Sequence, residues 1–486
     1  MIERTSHVHF IGIGGSGMSA IAHVLLAQGY RVSGSDLRAS DGTRRLEALG
    51  ATVHVGHDAA HVEGADVVVA SRAVPDLNAE IVAARYKGVP VLHRAQVLGQ
   101  VLEGAFGIAI VGTHGKTTTT AMTAHVLASG GLDPTALIGG DVEDLGGNVR
   151  VGSGAHVVAE VDESDGSLLY VRPSAAVVTS LDITDHRDHY RTLARLVETF
   201  SKFLSTLPSD GFAVLCTDHL HVRQLLPKVQ ARVFTYGLLP RSQYTAQIHS
   251  MEGHTSKCTF RREGRPLGKV AIPVPGRYNI CNALAATAVG LEVGLGFEQV
   301  AGALEKFRGV RRRFDVRGDV NGIMVVDDYA HNPIKVATVL RAAKESWPNR
   351  RLVAVFQPHR FSRTKTTHRR FSQAFQDADD LVITEIYPAD EDPIQGVTAE
   401  LIVNAVRPHR PVTFVADQQA ALDHLIPRLR AGDLVITLGA GDIWQVADRL
   451  VDRLRKHTPS SSGAQHPEVP PAGAPITSQA AAPKAQ

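Results

Sequence analysis

Two glycine-rich turns about a hundred residues apart constrain this chain more than any other feature: GIGGSG at 12–17 and GTHGKT at 112–117. Each follows a short apolar run, HVHFI in the first case and GIAIV in the second, and each opens a helix-forming stretch. In a strand–turn–helix, glycines let the backbone approach a phosphate, while the amides and partial positive charge of the helix start favour its negative charge. One such turn suggests one phosphorylated ligand. Two suggest two ligands and a reaction that joins something between them. Elsewhere, short β-rich runs (YRVSGSD, ADVVVAS, HVVAEVD, AAVVTSLD, IMVVDDYA, RLVAVFQPH, DLVITEIY, DLVITLGAGD) alternate with helical patterns, as in βαβ units. Several of these runs are apolar without alternation, as expected of parallel strands covered on both faces. The expected fold class is α/β.

A chain of 486 residues exceeds one compact core, and at roughly 100–200 residues per domain it predicts about three domains. We place the boundaries near Gly104 and in the arginine-rich segment FRGVRRRFD. This gives domains at 1–104, 105–311 and 312–456, followed by a Pro-, Ala- and Ser-rich tail at 457–486 expected to be disordered. A formal net charge of +2 gives no general attraction to nucleic acid or anionic membrane, so phosphate binding must be local. Three scattered cysteines fit no zinc pattern and suit a reducing cytoplasm. The partners expected are small molecules, bound by a monomer or homodimer without nucleic acid or membrane.

Gly12, Gly14 and Gly17 have the G-x-G-x-x-G spacing, and Asp36 follows the next strand where a ribose-binding acid would lie. Alone, this would indicate a nicotinamide-dependent oxidoreductase. The second loop points elsewhere: the amides of Gly112, Thr113, His114 and Gly115, with Lys116, Thr117 and Thr118, can surround the terminal phosphates of a nucleoside triphosphate. It is shorter than the usual phosphate loop, because Ile110 stands where the first glycine would be. Asp162 and Glu163 end an apolar strand and offer hard oxygen ligands for a divalent cation. Asp182, Asp185, His186 and Asp188 cluster after the next strand.

With these loops and acids placed, the chain closely resembles the Mur ligases from about His7 to Gly441, on the words GIGGSGMSAIA, SGSDL, GTHGKTTT, VDESDGS, GRYNICNALAA, GVRRRFD, DDYAHNP and FQPHRFSRT. The resemblance implies an N-terminal Rossmann-like domain for a UDP-sugar, a central P-loop ATPase-like domain and a C-terminal Rossmann-like domain. It implies ATP-dependent attachment of L-alanine to the lactyl carboxylate of UDP-N-acetylmuramate through an acyl phosphate, in peptidoglycan synthesis. A close relative instead reattaches a recycled tripeptide.

By the same resemblance, Lys116 stabilises phosphoryl oxygens, Thr117 and Glu163 hold magnesium, and His186 binds a second ion. Asn282 and Asp328 contact the nucleoside, and Arg313 the phosphates. Tyr329, His331, Arg360 and Arg363 form the amino-acid end. Gly14, Ser16 and Gly17 meet the UDP pyrophosphate, with Asp36 and Ser71 near the uridine. Arg311 and Arg312 are expected on a solvated basic face, and Lys202 carries no assigned role. DDYAHNP departs from the family pattern, with Asn332 in place of a second histidine.

Overall fold

The structure, a computed structural model, describes residues 2–3, 6–183 and 187–456. Its strands form three sheets that follow one another along the chain. The first is wholly parallel, in the spatial order Thr52–Val55, Arg31–Asp36, His7–Ile11, Val67–Ala70, Val91–His93. Strand order reverses beside His7–Ile11, and at that switch point the chain enters GIGGSG and then the helix Ser16–Ala27. Crevices at the carboxyl ends of strands, beside such a reversal, are where open α/β sheets bind ligands.

The second sheet has ten strands. Phe106–Val111 lies near its middle, with Ile108, Ala109, Ile110 and Val111 fully buried, and it delivers GTHGKT to the helix Lys116–Ser129. Beside it run His156–Glu160, which leads to Asp162 and Glu163, and Ala175–Val178, which leads to Ser180 and Asp182. Their parallel register brings three strand ends to one edge.

The outer part of this sheet was not legible from the run of parallel units. Tyr244–Glu252, Thr255–Arg262 and Arg265–Ile272 form an antiparallel meander. The hairpin at Glu263-Gly264 has both residues at positive φ (51° and 78°), the geometry whose twist suits a two-residue hairpin. The Glu-Gly pairs in MEGHT and REGRP were the available signal.

In the third sheet, Asp315–Val320 runs antiparallel to Ile323–Asp328, and Asp433–Leu438, Arg351–Phe356, Asp380–Ile383 and Thr413–Phe414 follow in parallel. Each sheet is covered by helices that bury its apolar strands, as the unbroken hydrophobic runs required. Among the described residues no helix is long and apolar enough to cross a membrane. The tail at 457–486 lies outside the described residues.

Candidate active site between the three sheets

The phosphate loop is built around one buried ion pair. Lys116 begins its helix, and its Nζ donates to the Gly112 carbonyl at 2.7 Å and lies 2.9 Å from Oε2 of fully buried Glu163. Burial opposes the charge on Lys116, but Glu163, Glu160 and Asp162 more than compensate and raise its pKa. The loop is also locked to the neighbouring strand: the His114 amide donates to Ser180 Oγ at 2.8 Å and the Thr179 hydroxyl to the His114 carbonyl at 2.6 Å. Gly112 has φ +126°, and a Cβ there would fall 2.4 Å from Thr179 Oγ1. The position therefore demands glycine for both conformation and space.

Two cavities meet at this loop. One, of about 330 Å³, is lined by Thr113, His114, Gly115, Lys116, Thr117 and Thr118 together with Asn282, Arg313 and Asp328. Asn282 is buried on the helix Arg277–Glu292, where it accepts from the Thr119 hydroxyl at 3.0 Å and donates to Asn279 at 3.1 Å. It thus ties two helices together besides facing the cavity. Asp328 accepts from the amides of Phe314 and Ala330 at 2.8 and 2.7 Å. Burial raises its pKa to about 6, against the pull of Arg313 and those two amides.

The other cavity, of about 690 Å³, collects Ser16 and Gly17 from the first unit, Lys116, Thr117, Glu160 and Asp162 from the second, and Arg313, Tyr329 and His331 from the third or its linker. Lys116, Thr117 and Arg313 line both cavities. Arg313 Nη2 lies 3.5 Å from the Thr117 hydroxyl.

Arg312 departs from the expected solvated face. Its Nε donates to buried Asp327 at 3.1 Å and its Nη2 to the Gly439 carbonyl at 2.7 Å. The backbone amide of Arg311 donates to the Asp141 carbonyl in the middle unit. Adjacent residues are therefore anchored to different sheets. Tyr329 lies beneath both neighbouring guanidinium groups, 5.0 Å from Arg312 and 4.8 Å from Arg313.

The aromatic row continues outward as Tyr329, His331, His359 and Tyr387, with successive ring centroids 5.3, 5.9 and 5.7 Å apart. His331 Nδ1 donates to the Tyr329 carbonyl at 2.8 Å. His359, in FQPHR, joins the row although no sequence pattern singles it out. Its Nδ1 accepts from Arg363 at 2.9 Å, and burial, aided by Arg363 and Arg360, lowers its pKa to about 4, so the ring is neutral near pH 7.

Arg360 and Arg363 stand at the far end of this row and line neither cavity. Arg360 is half exposed, 4.0 Å from Glu391, and holds φ +70°, a sparsely populated value for a side-chain-bearing residue. Asn332, the departure from the family pattern, caps the helix Pro333–Ser346 by accepting from the Lys335 amide at 2.8 Å.

At the first loop, Asp36 turns back on the turn itself and accepts from the Gly14 amide at 2.9 Å. Ser71 lines a separate cavity of about 500 Å³ with His93, Asp165 and Tyr170. Gly14, Asp36 and Ser71 are therefore outside the 690 Å³ cleft that holds Ser16 and Gly17. Lys202 pairs with Glu198 on an exposed helix face. Asp185 and His186 lie outside the described residues.

A dinucleotide-type turn and a phosphate loop that open on one cleft, with a third α/β unit closing it, define a multidomain nucleotide-dependent enzyme. Three family models cover most of the chain: "Mur ligase family, catalytic domain" at 7–105, "Mur ligase middle domain" at 110–290 and "Mur ligase, glutamate ligase domain" at 312–441. The chain belongs to the Mur ligase family, ATP-dependent enzymes that form amide bonds. It is 49% identical over 458 residues to the UDP-N-acetylmuramate–L-alanine ligase of Geotalea daltonii, covering 94% of this chain and 100% of that one. Among solved structures, the UDP-N-acetylmuramate–alanine ligase of Thermotoga maritima matches with TM-score 0.79 and 32% identity, covering 93% of this chain and 99% of that one. A murein peptide ligase of Psychrobacter arcticus matches with TM-score 0.68 and 26% identity, covering 92% and 98%.

Proposed function

We propose that this protein joins L-alanine to the lactyl carboxylate of UDP-N-acetylmuramate, converting ATP to ADP and phosphate, as a step of peptidoglycan precursor synthesis in the cytoplasm. The observation that carries this reading is the 690 Å³ cleft, in which the start of the first glycine-loop helix faces Lys116 and Thr117 of the second. The greater similarity to enzymes named for L-alanine than to the murein peptide ligase supports the single amino acid over the tripeptide. The Asp36–Gly14 bond disfavours a nicotinamide cofactor, because the acid that would hold a ribose is engaged with the turn that would hold the pyrophosphate.

In this reading residues 1–104 bind the UDP-sugar, 105–311 bind ATP, and 312–456 bring the amino acid. A carboxylate is a poor acceptor for an amine, so its oxygen first attacks the γ-phosphorus, ADP leaves, and an acyl phosphate forms. Alanine's neutral amine then attacks the carbonyl carbon, phosphate leaves with the transferred oxygen, and the amine proton is lost. Lys116 moves from Glu163 to the phosphoryl oxygens, Arg313 approaches them from the linker, and both offset charge that grows in the transition state. Tyr329 and His331 border the amine's approach, and Arg360 and Arg363 take the amino-acid carboxylate as charge-assisted partners.

The donor set suits magnesium. Thr117 and Glu163 supply hard oxygens at the loop, and Glu163 already holds a cationic group at 2.9 Å. When bound there, the ion would neutralise phosphate charge, with His186 as the expected ligand of a second ion.

Phosphate release tests the reading. It is expected to require ATP, UDP-N-acetylmuramate and L-alanine together; release with L-Ala-γ-D-Glu-diaminopimelate but not with L-alanine would assign the recycling reaction instead.

A further inference from the structure

Arg94 opens the helix Arg94–Glu103, directly after the last strand of the first sheet. Its side chain crosses to the middle unit, where Nη2 donates to Asp162 Oδ2 at 2.8 Å. Its Nη1 lies 2.8 Å from the point that a Cβ on residue 17 would occupy. Gly17, the last glycine of GIGGSG, therefore clears a guanidinium as well as a turn. Arg94, Ser16, Gly17, Lys116 and Asp162 all line the 690 Å³ cleft.

The pair has a definite electrostatic logic. The Asp162 carboxylate also accepts from the Ser164 amide at 3.0 Å through Oδ1, which fixes its orientation toward Arg94. Asp162 thus fixes one edge of the guanidinium fork and sets its plane. The other edge lies against the start of a twelve-residue helix, whose end also carries partial positive charge. Two positive features in contact repel unless an anion lies between them or at their shared edge.

We infer that Arg94 is a substrate-binding residue for the diphosphate of the UDP-sugar, through Nη1, and that Asp162 is the positioning residue that orients it. This inference rests on the ligase reading, and it supplies that reading with a side-chain contact for the anion in the first glycine turn. The Arg94–Asp162 pair also connects the sugar site to the carboxylates around Lys116, so the two substrates share one charge network.

Calorimetric binding of UDP-N-acetylmuramate and, separately, of ADP to the full chain tests this. R94A is expected to weaken UDP-sugar binding by about ten-fold or more, the loss of one or more charge-assisted bonds, while ADP affinity stays within about two-fold. R94K is expected to recover part of the loss, and D162N to weaken the UDP-sugar and leave its position in the turn less strictly dependent on Arg94. If R94A does not fold, R94Q replaces it, with the unfolding midpoint as the check. Wild-type affinity for the UDP-sugar in R94A, or an equal loss of ADP binding, would overturn the assignment of Arg94 alone. Failure of the wild type to bind the UDP-sugar would overturn the ligase reading and the inference with it.

Discussion

At the residue scale, the proposed chemistry rests on a charge pair that is also structural. Glu163 is fully buried and Lys116 nearly so. K116A would strand a buried carboxylate, and we expect a loss of about 3–5 kcal/mol of stability with the loss of activity. The neutral pair K116M/E163Q is expected to recover most of that stability but none of the activity, as thermal unfolding and phosphate release would show. A second buried acid lies beneath the first glycine turn. Glu80 accepts from Ser35 at 2.6 Å and contacts His61 at 2.7 Å, and Ser35's carbonyl receives the Gly12 and Ile13 amides. Burial raises the Glu80 carboxyl, but the close approach of His9 at 3.6 Å and the hydrogen bonds from Ser35 and His61 outweigh it and lower its pKa from 4.5 to about 2. The folded-state value is depressed, so its stabilisation is present above pH 4.5 and fades as pH falls toward 2, worth at most about 3 kcal/mol. In denaturant titrations the gap between wild type and E80Q is expected to narrow over that window. A gap independent of pH would exclude this origin. Glu80 was not legible beforehand, because its partners come from separate segments that only the sheet brings together.

At the scale of elements, loops with glycine and strand–helix context were legible because their function depends on local backbone geometry. Gly112, Lys116 and Thr117 occupy the strand-to-helix turn that their spacing implied. Contacts made across the fold were not legible in the same way. Arg311 and Arg312 read as a solvated basic face, yet Arg312 is bonded into the third sheet and both line the cleft beside Arg313. Asn332 shows the opposite case, a departure from a family motif with a local physical explanation. Its side chain caps a helix that has proline at its first position, a favourable start. N332A is expected to cost about 1 kcal/mol in unfolding experiments and N332D much less. An equal cost in both would place the role of Asn332 outside capping.

At the scale of the whole molecule, three sheets supply what no single one contains. The first brings a turn and Arg94, the second a phosphate loop with its acids, and the third the aromatic row that leads from the cleft to Arg360 and Arg363. The anchoring of Arg311 to the middle unit and of Arg312 to the third puts the natural pivot between adjacent residues. Arg360 and Arg363 stand outside the cleft, so in the proposed reaction movement about that pivot would be needed to bring an amino-acid carboxylate held by them to the acyl group. The central claim is that the lactyl carboxylate is activated by direct phosphoryl transfer. Both of its oxygens can be labelled with ¹⁸O and the released inorganic phosphate examined by mass spectrometry after turnover with L-alanine. One labelled oxygen per phosphate is expected, carried over when the acyl phosphate is cleaved by the amine. Phosphate without label, or label in AMP, would contradict the account.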